Sequence, residues 1–176
     1  MDDSAHDIGR KEQFENPELC HAMVGGQKAY SFLVEHDYEI YYAEQVKQCI
    51  QTHRFRKSSP PQSIEAKILF DADKLDVTGA IGIARTLVYK GNVSEPLYSL
   101  LPDGKVSNGE NDTTPSFFQE YKYKLEKLYS KFYTAEGNKL AKERQGSAIA
   151  FFDNMYEEVR RSYEKGNEEL AELLQE

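Results

Sequence analysis

With 176 residues, the chain is long enough for one domain with a sizeable core and short for two. Its hydrophobic fraction of 39% and charged fraction of 30% fit a globular protein rather than a disordered one. A net charge of −8 argues against a broad surface for a nucleic-acid polymer or an anionic membrane, so an anionic substrate would need a metal ion or a local cluster of Arg and Lys. No apolar run approaches the roughly 18 residues of a membrane span. The N-terminal MDDSAHDIGR lacks the basic-then-apolar pattern of a secretory signal, so a cytoplasmic location is expected. Cys20 and Cys49 have no metal or redox spacing and read as small buried hydrophobes in a reducing cytosol rather than as a disulfide.

Nearly every periodic segment reads as helix. Asn16-Pro17-Glu18 has the form of an N-cap, a proline at the first helical position and an acid in the first turn, opening a helix that runs to about Glu35. A second helix follows His36-Asp37, with Asp37 as its N-cap. Ala43, Val46, Ile50 and His53 recur there at three- and four-residue steps, so His53 ends an apolar stripe. Ser58-Ser59-Pro60-Pro61 breaks the pattern.

A third helix, from about Gln62 to Leu75, carries FDADKLD. At about 100° per residue, Lys67, Asp71 and Lys74 share one side, which reads as a solvated acid between two lysines. Leu69, Asp73 and Asp76 lie on another side, toward apolar neighbours, where an unpaired carboxylate is costly. Ile64, Ile68, Leu69 and Leu75 argue that this helix is not solvated all round. A fourth helix is expected over Gly79 to Tyr89, its glycines permitting close helix contact. No strand precedes DKLDVTGAIGIAR, so its glycine spacing is no phosphate loop. Residues 97–115 form a polar loop. Phe118, Tyr121, Leu125, Leu128 and Phe132 then alternate steps of three and four, as a core-facing stripe does. Thr134 is the candidate cap of a last helix with apolar positions at Leu140, Ala148, Phe151, Met155 and Val159. No internal repeat and no convincing strand is found.

The chain has four histidines, His6, His21, His36 and His53, and two of them begin a His-Asp dipeptide. A neutral imidazole and a carboxylate side by side suit a divalent transition metal, although any His beside any Asp produces the pair. The wider pattern is more specific. HDIGR, a helix bearing His21, QTHRFR, then EAKILFDADKLDVTGAIGIAR resembles the HD-domain metal-dependent phosphohydrolase superfamily, within it a bacterial subgroup of small single-domain proteins marked by DAD-x-LDA-x-GAIGIAR. The similarity continues through SFFQEYKYKLEKLYSKFYT and LAKER, so it covers most of the chain.

The resemblance implies an all-α, HD-domain-like helical bundle around a metal site, one domain spanning residues 1–176. It implies His6, Asp7 and Asp73 as metal ligands, for Mn, Fe, Co, Ni or Mg. His21 and His53 match further histidines of the subgroup, placed to bind phosphate, to assist proton transfer or to hold a second metal. The plain alternative for both is a core histidine satisfied by a backbone carbonyl. Lys11, Arg54 and Arg56 are the basic candidates for substrate phosphates, with Lys57 read as a solvated charge. Asp76 either orients a ligand from behind or pairs with Arg85. His36-Asp37 is read as a turn rather than a site.

The implied activity is hydrolysis of a phosphate ester or anhydride, with a small phosphorylated substrate, a nucleotide being the expected class. Cyclic-dinucleotide hydrolysis is disfavoured because the Gly-Tyr-Pro signature of that branch is absent. One departure matters. The family's first metal histidine lies in a helix ahead of the His-Asp pair, and only five residues precede His6 here. The expectation is a chain lacking that N-terminal helix through a misplaced start, trimming or true degeneration. An exposed apolar groove should follow, and a second copy, as a homodimer, is a candidate to cover it. The same departure supports the alternative of a non-catalytic HD-like module binding a nucleotide or a protein.

Overall fold

The computed structural model describes residues 5–54 and 59–174. Among them the chain is all-α, and the sole pairing of extended backbone is an isolated antiparallel bridge between Leu100 and Val106. No helix is long and apolar enough to cross a membrane among the described residues. The chain divides into two compact units, Met1–Asp73 and Lys74–Glu176.

In the first unit a 3-10 turn, Ala5–Asp7, leads through Gly9 into the short helix α1, Arg10–Glu15. Gly9 is required by packing: a Cβ there would stand 2.3 Å from the carbonyl oxygen of His21 and 2.7 Å from the backbone nitrogen of Gly25. The next helix, α2, spans His21–Glu35 and not the segment from Asn16. Asn16 instead closes a turn. Its carbonyl accepts from the Leu19 N–H at 3.0 Å and its Oδ1 from the Glu18 N–H at 3.1 Å, so Pro17 sits in that turn and Cys20 becomes the N-cap of α2. This corrects the expected start, and α1 is a helix that the periodicity did not announce.

Helix α3 spans Ile40–Thr52 with Glu39 at its N-cap. Asp37 does not cap it; it adopts φ 60° in the connecting turn, a left-handed conformation that aspartate tolerates. Helices α2 and α3 meet through small residues. A Cβ on Gly26 would lie 2.6 Å from Gln51 Cγ and 3.0 Å from the Lys47 carbonyl, and Ala22, Ala43 and Ile50 are buried. Beside this pair lies an open apolar groove of about 630 Å³, lined by Ile8, Phe32, Leu33, Val46 and Ile50 among others.

Helix α4, Ile64–Leu75, starts where Ser63 Oγ accepts the Ala66 N–H at 3.1 Å. Its buried residues are Ala66, Phe70 and Asp71, while Ile64 and Ile68 are 58% and 55% exposed. Asp71 is thus buried, not the solvated acid that the lysine spacing suggested. The isoleucines expected to be covered face solvent.

The second unit holds helix α5, Gly79–Asn92, and helix α6, Phe117–Glu120. A π-helical turn follows over Tyr121–Leu125, then a 3-10 turn over Leu128–Ser130 and the 39-residue helix α7, Ala135–Leu173. Gly79 has φ +68° and donates its N–H to the Tyr129 hydroxyl at 2.9 Å, and the Arg144 guanidinium donates to the Leu75 carbonyl at 2.9 Å. Thr134 caps α7 as expected, its Oγ1 accepting from the Gly137 N–H at 2.9 Å. The stripe Phe118, Tyr121, Leu125, Leu128 and Phe132 is buried throughout, although it crosses three kinds of helix. On α7 Ala148 is buried as expected, together with Ala141 and Phe152, the last stacked on Tyr121 at 3.9 Å, whereas Phe151 is exposed.

Candidate metal centre

The Gly9 contact seats the His6-Asp7 turn against the first turn of α2, beside His21. His53 closes the C-terminal end of α3, and Asp73 comes from the last turns of α4. Four local structures of the first unit therefore converge. His6 Nε2 stands 3.8 Å from Asp7 Oδ2 and 3.5 Å from Asp73 Oδ1. Asp7 Oδ1 stands 3.4 Å from His21 Nε2 and 3.7 Å from His53 Nε2. Ring centroids are 5.0 Å apart for His6 and His53 and 5.4 Å apart for His21 and His53. Donor atoms of His6, Asp7 and His53 all lie within 4.8 Å of one another, the spacing of groups able to share an ion.

Hydrogen bonds on the far side of the rings set which nitrogen carries the proton. His53 Nδ1 lies 2.5 Å from the carbonyl oxygen of Ile50, which can only accept, so Nδ1 holds the proton and Nε2 presents its lone pair. His21 Nδ1 likewise lies 2.5 Å from Gln13 Oε1. Asp7 Oδ2 accepts from Arg10 Nε at 2.7 Å, which turns Oδ1 inward. His21 and His53 are 3% and 1% exposed. Burial pushes both imidazoles down. His21 falls from its ordinary 6.5 to about 4, with the charges of Arg10 and Arg54 assisting. Both rings are therefore neutral near pH 7.

Lone pairs on two buried imidazoles thus face a carboxylate oxygen with no proton between them. Asp7 Oδ1 and His21 Nε2 are buried with no hydrogen-bond partner. Orphaned buried acceptors are costly unless something positive meets them. Donors that share a transition-metal ion at about 2.0–2.2 Å stand roughly 3–3.6 Å apart, close to the separations found here. The donor set of imidazole and carboxylate fits a divalent cation.

The remaining sequence candidates fall elsewhere. Asp76 pairs with Arg85 at 2.6 Å and is 57% exposed, the second of its two readings. Arg54 is half-buried and donates to Cys20 Sγ at 3.4 Å, while Lys11 is exposed on α1. Arg56 and Lys57 lie outside the described residues. His36 stacks on Phe32 and its Nδ1 bonds the Phe32 carbonyl at 2.8 Å, a role in the turn. Cys20 and Cys49 are free thiols, half-buried rather than core. Arg10 and Gln13 were missed by sequence reasoning. The available signal was weak: Arg10 and Gln13 follow Asp7 by three and six residues, and only the first step is a side-chain neighbour spacing.

The fold and this donor set are similar to those of HD-domain proteins: the HD domain family model matches residues 5–78 of the chain. The uncharacterized protein YpgQ of Bacillus subtilis (strain 168) is 30% identical over 106 residues, 60% of this chain. That match spans 45% of YpgQ, so the chain matches under half of this curated relative's length. The crystal structure of Bacillus subtilis YpgQ in complex with ADP aligns with a TM-score of 0.59 and 21% identity, covering 88% of this chain and 85% of that one. An HD-superfamily hydrolase of Bacillus thuringiensis aligns at TM-score 0.56 and 22% identity, covering 88% and 82%. These structural likenesses show a shared fold.

Proposed function

We propose that the chain is a metal-dependent phosphohydrolase acting on a phosphate ester or anhydride, with a nucleotide as the favoured substrate. The observation that carries the reading is the inward-facing, unprotonated donor set around Asp7 Oδ1. His6, Asp7, His53 and Asp73 would hold a divalent cation, with His21 Nε2 as a further donor. When bound, such an ion lowers the pKa of water and polarises a phosphoryl oxygen.

This chain's own residues supply the rest. Arg10 holds the Asp7 carboxylate in one orientation through its 2.7 Å bond. The Ile50 carbonyl holds His53 in the tautomer that points an electron pair inward. His21 and His53, expected to bind phosphate, to assist proton transfer or to hold a second metal, present a lone pair and no N–H toward the site in these tautomers, which suits metal ligation or proton acceptance. Positive charge for the substrate comes from Arg10, Lys11 and Arg54, local exceptions in a chain of net charge −8. YpgQ, a relative of this fold, has been crystallised with ADP, which supports a nucleotide as the substrate class.

The test is phosphate and pyrophosphate release from nucleoside di- and triphosphates and from a generic phosphomonoester. Chelator-stripped protein reloaded with Mn²⁺ is compared with the Asp7→Asn variant. The reading expects turnover by the reloaded chain and a loss of two or more orders of magnitude in the variant. Equal, background-level release from both would overturn it and leave the non-catalytic binding module.

A further inference from the structure

Gln13 lies on α1, outside the group of donors, and touches none of the inward-facing atoms. It does one thing to the centre: its Oε1 lies 2.5 Å from His21 Nδ1 across eight residues of chain. His53 receives the same service from a backbone carbonyl that no substitution can remove, but His21 depends on a side chain. A neutral imidazole carries one N–H, and a histidine pointing an N–H at Asp7 Oδ1 would satisfy both orphaned atoms by hydrogen bonding. The proton is drawn to the other nitrogen instead. We propose that Gln13 is a positioning residue that locks His21 as the Nδ1–H tautomer, keeping its Nε2 lone pair, 3.4 Å from Asp7 Oδ1, available to a divalent cation.

The assignment rests on the metal-centre reading above. It predicts a bistable ring. With an acceptor at position 13, the proton sits on Nδ1. Without one, the proton moves to Nε2 and bonds Asp7 Oδ1, which removes the His21 donor, occupies one lone pair of Asp7 Oδ1 and weakens the hold on a cation. Neighbouring bonds fix the geometry: Arg10 donates to Asp7 Oδ2, the turn before α1 is tied to α2 where Lys28 donates to the Ile8 carbonyl at 3.2 Å, and α1 itself is tied where Lys28 pairs with Glu12. Gln13 is therefore held near His21 by contacts independent of its own amide.

The experiment uses the full chain with ¹⁵N-labelled histidine, metal-free, and reads each ring's tautomer by long-range ¹H–¹⁵N correlation near pH 7.5. Co²⁺ affinity is measured on the same samples from the visible absorption of the bound ion. In the wild type His21 should be the Nδ1–H form. In Gln13→Leu it should pass to the Nε2–H form, and Co²⁺ affinity should fall by about 10- to 100-fold. Gln13→Glu, which keeps an acceptor oxygen, should restore both. His53 should stay in the Nδ1–H form in all three, which verifies that the fold is intact. An Nε2–H His21 in the wild type, or an unchanged tautomer in Gln13→Leu, overturns the assignment. A wild type with the expected tautomer and no Co²⁺ binding would defeat the metal-centre reading instead, so the two failures are told apart.

Discussion

At the scale of single residues, the centre is built from groups held in an electrically uncomfortable state. His21 is buried and uncharged, its proton affinity pushed from 6.5 to about 4 by loss of solvent and then by the charges of Arg10 and Arg54; burial lowers His53 as well. Unfolded chains carry histidines that titrate normally, so between about pH 6.5 and pH 4 the unfolded state binds more protons than the folded one. This contribution to stability is complete above about pH 6.5 and is lost as pH falls through that window. The metal-free protein should therefore melt several degrees lower at about pH 5 than at about pH 7.5. Melting curves across that range check it, and a transition temperature that holds or rises on acidification would contradict it. That His6, Asp7 and Asp73 meet, with His21 and His53 near them, is what the motif implied. Gln13 and Arg10 were not legible, because an ordinary Gln and Arg gain meaning only when a particular oxygen or nitrogen lies opposite. Asp71 was misread for the same reason: counting around one helix places residues on sides, but burial depends on what packs there.

Among the elements, the entry to the centre depends on one close approach. The turn bearing His6-Asp7 rests on the start of α2 because residue 9 has no side chain, its Cα position leaving only 2.3 Å between a would-be Cβ and the His21 carbonyl. Gly9→Ala must push the turn away from α2 and should cost about 1–3 kcal/mol of stability. It should also weaken divalent-metal binding, since His6, Asp7 and His21 would no longer share one position. Denaturant unfolding and metal titration of the variant measure the two effects, and an alanine variant matching the wild type in both would refute the packing argument. Long periodic segments announced themselves. The buried stripe from Phe118 to Phe132 and the Thr134 cap both follow from spacing and chemistry visible in the chain. Short elements did not. Six-residue α1 has no buried residue of its own, and Asn16 spends its side chain on a turn rather than a cap. Nothing local distinguishes those outcomes.

For the molecule as a whole, the segment matched by the HD domain family model, residues 5–78, contains every member of the candidate centre, and two of those members are buried in its core. His21 and His53 are buried, as are Ala22, Ala43, Ile50, Ala66 and Phe70 of the same unit. A domain that spends core volume on two histidines gives up apolar burial, and a bound cation would offset that loss. The most direct measurement is anomalous diffraction at the manganese edge from crystals of the full chain grown with Mn²⁺. The account predicts one strong peak enclosed by His6 Nε2, Asp7 Oδ1, His53 Nε2 and the Asp73 carboxylate. A well-ordered centre with no peak there, its imidazole and carboxylate groups joined by direct hydrogen bonds, would contradict it.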